Sequence, residues 1–148
     1  MDHLIRDRVR QASAERAVIE LFVATDRRDW GRVRRLMTDT LDVDMSSSGG
    51  PRGAIDADAL VAAWAAALDP LDAVHHQVGN LRSTIHEDDA HVACHGIAYH
   101  HLRGAPGGET RMFVGTYDIA LRDSPRGWHI TTFRFFLRFL GGNPDLHA

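Results

Sequence analysis

Two textures of hydrophobic patterning divide the chain: helical spacing first, then long runs of alternation. From about Asp7 to Asp26, the residues Val18, Leu21, Phe22 and Thr25 fall on one stripe and predict a first helix. Asp29 has the chemistry of an N-cap for a short second helix running through Trp30, Val33 and Met37. Leu41, Val43 and Met45 alternate with Asp42, Asp44 and Ser46, which is strand periodicity, and Ser47 to Gly53 has the Ser/Gly/Pro composition of a loop. An Ala-rich third helix opens at Asp56 or Asp58, carries Leu60, Val61, Trp64 and Leu68, and is ended by Pro70. The segments Val74–Ile85, Ala90–Arg103, Arg111–Arg122 and Trp128–Leu140 then read as strands, with turn signals at Glu87–Asp89, Gly104–Gly108 and Asp123–Gly127. Consecutive strands joined by short turns pair antiparallel. Helices grouped before such a meander predict an α+β fold, one domain over residues 1–148, with the helices on one face of a strongly curved antiparallel sheet. The tail Gly141–Ala148 is expected to be mobile.

Composition narrows the chemistry. With 44% apolar and 25% charged residues, the chain has the balance of a soluble globular protein. All 17 basic residues are arginine, so there is no lysine for a Schiff base, for pyridoxal phosphate or for a phosphate-binding loop. A lone cysteine, Cys94, cannot form an internal disulfide, and a reducing, cytoplasmic setting is expected. No apolar run reaches membrane-spanning length, and Arg6, Asp7, Arg8 and Arg10 place charges where a signal peptide needs its apolar stretch. A net charge of −3 gives no field to draw in nucleic acid. Histidine, by contrast, occurs ten times, and its ordinary pKa lies near neutrality.

Candidate chemistry lies where polar groups occupy apolar positions. Asp26 continues the stripe of Val18 and Phe22; buried there it must be paired or titrate upward, and otherwise it caps the next helix or faces water. His75 and His76 are neighbours on a strand, so one of them faces the core. His100 shares its face with Cys94, Gly96 and Ala98, whose small side chains leave space, whereas His95 and His101 lie with Ile97 and Tyr99 on the other. A histidine oriented by a carboxylate is a general acid/base near pH 7, and a second across a cavity could protonate a leaving oxygen. That suits elimination, isomerisation or cyclisation of an apolar molecule. Nucleophile-elbow, dinucleotide and phosphate-loop motifs are absent, and Cys94 sits mid-strand among apolar residues. Histidines at 75/76, 95 and 100/101 could ligate a metal, but adjacent strand histidines diverge and no H-E-x-x-H occurs, so no metal is expected. The expected cavity walls are Phe22, Trp64, Phe113, Phe133 and Phe135, with Trp128 in the core behind them.

Four segments in register carry a family resemblance. Ala24–Val33 with its continuation Leu41–Asp44, then His76-Gln77-Val78-Gly79-Asn80, then Gly127-Trp128-His129-Ile130, resemble the SnoaL-like branch of the nuclear-transport-factor-2-like superfamily over about residues 5 to 140. Within it the chain is most similar to scytalone dehydratase. The resemblance implies a cone of three helices on a curved sheet enclosing an apolar pocket, homodimerisation through the sheet, and no cofactor. It carries an acid onto Asp26 and two catalytic histidines onto His76 and His100. Thr25 and Met45 stand where that enzyme has tyrosines, and a polar pocket position falls on Tyr117, so the dehydratase's own substrate is not implied. A dehydrochlorinase of the branch uses a similar Asp–His pair. Ketosteroid isomerase matches less well, with Leu21 and Met45 at its tyrosine and base.

The expectation is therefore a cofactor-free lyase or isomerase for a small, largely apolar cyclic molecule. His76 would be the base, Asp26 its orienter, and His100 a second acid or an anchor for a carbonyl or hydroxyl. The alternative is a non-catalytic ligand-binding or dimerisation module of the same fold. The uncovered face of a sheet with one helix layer also calls for a partner, expected to be a second copy.

Overall fold

The structure, a computed structural model, describes residues 2–146. Helix α1 (Asp2–Asp26) buries Ala14, Val18, Leu21, Phe22, Ala24 and Thr25, while the side chains of Leu4, Ile5 and Val9 in its first turns are exposed. Helix α2 (Trp30–Arg35) starts where Asp29 Oδ1 accepts the Arg32 N–H at 3.1 Å. Helix α3 (Ala57–Leu68) starts where Asp56 Oδ2 accepts the Ala59 N–H at 3.0 Å. Each cap satisfies a backbone donor that has no partner within its helix. Met37, expected in the second helix, instead opens strand β1 (Met37–Asp44). The expected loop 47–53 is a single 3₁₀ turn, Ser46–Ser48, followed by strand β2 (Arg52–Asp56). Five residues were too few for alternation to reveal that strand.

Strands β3 (Ala73–His86), β4 (Asp89–His101), β5 (Thr110–Ser124) and β6 (Gly127–Gly142) form the expected meander. The curved, unclosed sheet has the order β2-β1-β6-β5-β4-β3, and it is mixed rather than wholly antiparallel, because β1 runs parallel to β6. The antiparallel rule holds for strands joined by tight turns. The whole β2–β5 segment separates β1 from β6, so no turn constrains their relative direction.

Curvature comes from extra residues on β6. Ile130 faces Leu121 but Thr132 faces Ala120, and Leu137 faces Gly115 but Phe139 faces Val114. Each step inserts one unpaired residue, a β-bulge, which bends and twists the strand. The first bulge also switches the inward parity, so that Trp128 and Ile130 are buried before it, and Phe133 and Phe135 after it. A third irregularity interrupts β3 between Gly79 and Arg82, where Asn80 takes a left-handed backbone (φ 52°). On the Ile130 side of the first bulge the sheet and α1 close over Val18, Leu21, Val92, Ile119, Leu121 and Ile130, which are almost wholly buried. Between the two bulges Phe133 and Phe135 line a cavity. Trp128 lies in this core, with Arg10 over its ring at 5.2 Å.

The tail is not mobile through residue 146. Gly141 and Gly142 belong to β6, and buried Asn143 donates from Nδ2 to the carbonyls of Pro106 and Gly108, each at 2.9 Å. Leu146 packs with Leu71 and Val74. The tail thus ties down the β4–β5 loop, a long-range role that polar local composition does not reveal; His147 and Ala148 lie outside the described residues. Asn143→Ala removes both bonds and is expected to cost about 1–3 kcal/mol. Thermal melting would read this as about 2–4 °C lost per kcal/mol; an unchanged midpoint would show that the tail contributes nothing.

Candidate active site

The last turn of α1 delivers Asp26 against the start of β3. Its carboxylate accepts the His76 backbone N–H at 3.0 Å (Oδ1) and 2.9 Å (Oδ2), and Oδ1 lies 2.7 Å from His76 Nδ1. Between a carboxylate and a neutral imidazole, Nδ1 carries the hydrogen, which leaves the lone pair on Nε2. The two side chains are 21% and 13% exposed, sheltered but not sealed. His75 takes the opposite face of β3, where its ring lies 6.4 Å from that of Tyr99. His76 is therefore the histidine on the inner face.

His100 also points inward, on the face of β4 shared with Cys94, Gly96 and Ala98. It is 9% exposed, and Arg111 Nη2 lies 3.0 Å from its Nδ1. Burial, then the Arg111 charge, then His76 push the His100 pKa down to about 4, against a smaller opposing pull from Asp26. His100 is neutral at pH 7. It can donate a hydrogen bond there, but as an imidazolium acid it is nearly absent.

Both histidines line a cavity of about 180 Å³. A cavity of about 150 Å³ holds benzene, so one substituted ring is the scale of guest that fits. From α1 come Phe22 and Thr25; Met45 precedes the 3₁₀ turn; Trp64 comes from α3. Strand β5 supplies Phe113 and Tyr117, and β6 supplies Phe133 and Phe135. Thr25 spends its hydroxyl on the Leu21 carbonyl at 2.7 Å. The Tyr117 ring lies 4.9 Å from Phe22 and 4.8 Å from Phe135. Gly96 makes this possible, because a Cβ there would sit 2.4 Å from Tyr117 Cε2. Burial, Cys94 and Asp26 raise the Tyr117 pKa, so its phenol stays protonated. Among the described residues its hydroxyl has no hydrogen-bond partner. Leu21, Ala98, half-buried Ser48 and Leu68, and exposed Ala67 complete the lining, and the cavity is partly open to solvent.

Other candidates lie elsewhere. Cys94 is 1% exposed, and its thiol is pushed up to about 11 by burial and by Asp118, so it is no nucleophile. His95 and His101 reach Asn80 at 3.4 Å and Thr110 at 3.2 Å, away from the cavity. Among the described residues no three side chains of His, Cys, Asp or Glu converge to hold a metal, and no helix is long and apolar enough to cross a membrane. Arg111 was not anticipated. It stands directly opposite His100 in the β4–β5 ladder, a pairing that the loop length encodes once the strand ends are known.

The chain belongs to the SnoaL-like domain family, whose model matches residues 10–134, within the nuclear-transport-factor-2-like superfamily. Solved structures share the fold. The Kfla4162 protein of Kribbella flavida superposes with a TM-score of 0.83 at 24% identity, covering 93% of this chain and 95% of that one. A protein provisionally named a scytalone dehydratase, from Novosphingobium aromaticivorans, gives 0.79 at 16%, covering 95% and 89%. The type-3 hexachlorocyclohexane dehydrochlorinase of Novosphingobium barchaimii gives 0.69 at 15%, covering 95% and 97%. Comparison with curated proteins gives no match.

The depressed His100 has a stability signature. The unfolded histidine binds a proton below about pH 6.5 and the folded one only near pH 4. Between these values the unfolded state holds more protons, so stability falls as pH falls. Urea titrations from pH 7 to 4 should show wild type losing on the order of 2–3 kcal/mol more than His100→Gln. Parallel curves would mean that His100 is not held neutral.

Proposed function

We propose that the protein is a cofactor-free lyase or isomerase acting on a small, largely apolar cyclic molecule. The observation that carries this reading is the 2.7 Å contact of Asp26 with His76 Nδ1 at the wall of an aromatic-lined cavity with a mouth. His76 Nε2 takes a proton from a substrate carbon, and the C–H electron pair forms the new double bond. The imidazolium is held by Asp26. In an elimination the leaving group departs with its own electron pair; a departing hydroxyl takes the proton from His76 and leaves as water. In an isomerisation the proton returns to a different carbon. With no lysine in the chain, a carbonyl in this pocket is activated by hydrogen bonds, not by an imine. Dehydratase and dehydrochlorinase names among the structural relatives support an elimination.

Asp26→Asn and His76→Ala are each expected to lower the rate about 10²–10⁴-fold. Small cyclic ketones bearing a β-hydroxyl or β-halide, followed by absorbance of the conjugated product, provide the assay. Activity within a factor of a few in both variants would overturn the dyad, and no turnover of any of these ketones by the wild type would favour a ligand-binding module.

We also propose a homodimer through the outer sheet face. Phe136 and Phe139 stand there 42% and 55% exposed on β6, and burying such an apolar area is favourable. Light scattering at micromolar concentration should give twice the 16.4 kDa of one chain, and Phe139→Asp should shift it toward one. A wild-type mass of one chain would exclude the dimer.

A further inference from the structure

We propose that Arg111 is a positioning residue that holds His100 as its Nε2–H tautomer, so that the pocket offers one lone pair, on His76, and one N–H, on His100. The inference deepens the general acid/base reading above and rests on it for its catalytic meaning.

The geometry begins in the sheet. His100 and Arg111 are directly opposed on β4 and β5, and Arg111 Nη2 lies 3.0 Å from His100 Nδ1. A guanidinium has donors only. The contact is a hydrogen bond only if Nδ1 presents its lone pair, and in a neutral imidazole the single hydrogen is then on Nε2. His76 is the mirror case. Its Nδ1 meets a carboxylate, which only accepts, so its lone pair is on Nε2. Two identical side chains on one cavity wall are thus sorted into acceptor and donor by the charge of the group behind each. The titratable or charged groups facing His100 are Arg111 from β5, His76 from β3 and Asp26 from α1. The two nearest to it in effect, Arg111 and His76, oppose a second proton on the ring.

Arg111 is not explained by its own bonding. Its guanidinium lies over the Phe113 ring at 5.2 Å, and Nη1 is 3.5 Å from the Pro144 carbonyl. Its Nε is buried without a partner, and burial lowers its pKa. Among the described residues no ion pair includes it. A partly desolvated cation without a counterion carries a cost, and such costs concentrate at functional sites. Phe113 lies against both groups, since its ring is 5.4 Å from that of His100 and it lines the cavity. The stack fixes the orientation of the donor. A neutral N–H in an apolar wall suits an oxygen acceptor on the substrate, including one gaining negative charge as His76 withdraws a proton.

Long-range ¹H–¹⁵N correlation spectra of histidine-labelled protein test this without a substrate. The nitrogen with the lone pair resonates well downfield of the one with the hydrogen, so the tautomer is read directly. At pH 7 wild-type His100 should show the Nε2–H pattern. Arg111→Met should lose it, giving a mixed or Nδ1–H pattern and a titration moved up toward the ordinary histidine range. Arg111→Lys, which still donates, should restore the pattern at least in part. An Nδ1–H or doubly protonated His100 in wild type overturns the proposal, whether or not any variant folds. An Arg111→Met protein with an unchanged pattern and titration overturns it too, leaving Arg111 a structural role. Asp26→Asn should leave the His100 pattern intact, so failure of the dyad in the kinetic assay and failure of this tautomer assignment are separate results.

Discussion

The attachment of Asp26 to His76 ties the helical layer to the sheet at the point where the cavity begins. One carboxylate takes a backbone N–H from β3 with both oxygens and the ring N–H of the same residue with one. A negative charge at a helix C-terminus meets the unfavourable end of the helix dipole, and a half-buried carboxylate without partners would be costly. The histidine's backbone and ring offset both. The same contact therefore docks α1 on β3, selects His76 over His75 as the inward residue, and fixes the imidazole tautomer. Structure and chemistry at this position cannot be varied independently.

The second histidine shows how far surroundings outweigh residue type. His76 and His100 share a cavity, yet one backs onto a carboxylate and the other onto a guanidinium. Burial alone disfavours the charged imidazole, and Arg111 adds to it. Between the two histidines the wall is aromatic, and Tyr117, kept protonated by burial, is its further hydroxyl.

The hollow itself is a product of sheet curvature. Without the β6 bulges, residues 128 to 140 would keep one parity, and Trp128 and Phe133 could not both face inward. The bulge after Ile130 separates the part of β6 that packs into the core from the part that lines the cavity with Phe133 and Phe135. Gly96 then gives Tyr117 room to lie flat against β4. At the rim, Asn143 and Leu146 close the end of the β4–β5 hairpin, close to the strand pair that carries His100 and Arg111.

Much of this was written locally in the chain. Helical stripes, the cap at Asp29, an acid at 56 or 58 opening α3, four long alternating segments and the parity of His100 with Cys94, Gly96 and Ala98 depend on period and side-chain chemistry alone, which neighbouring residues determine. So did the nomination of Asp26, a polar residue on an apolar stripe. Other features needed the folded chain. The parallel β1–β6 pair, the strand β2 and the anchored tail depend on contacts between residues far apart in sequence, which local periodicity does not encode. The choice of His76 over His75 needed the position of α1. The role of Arg111 needed the strand register, because a one-residue slip sends every side chain to the other face. Composition established that this chain has histidines and no lysine; only the tertiary structure decided which histidine backs onto a carboxylate and which onto a guanidinium, because helix docking and strand register place those groups.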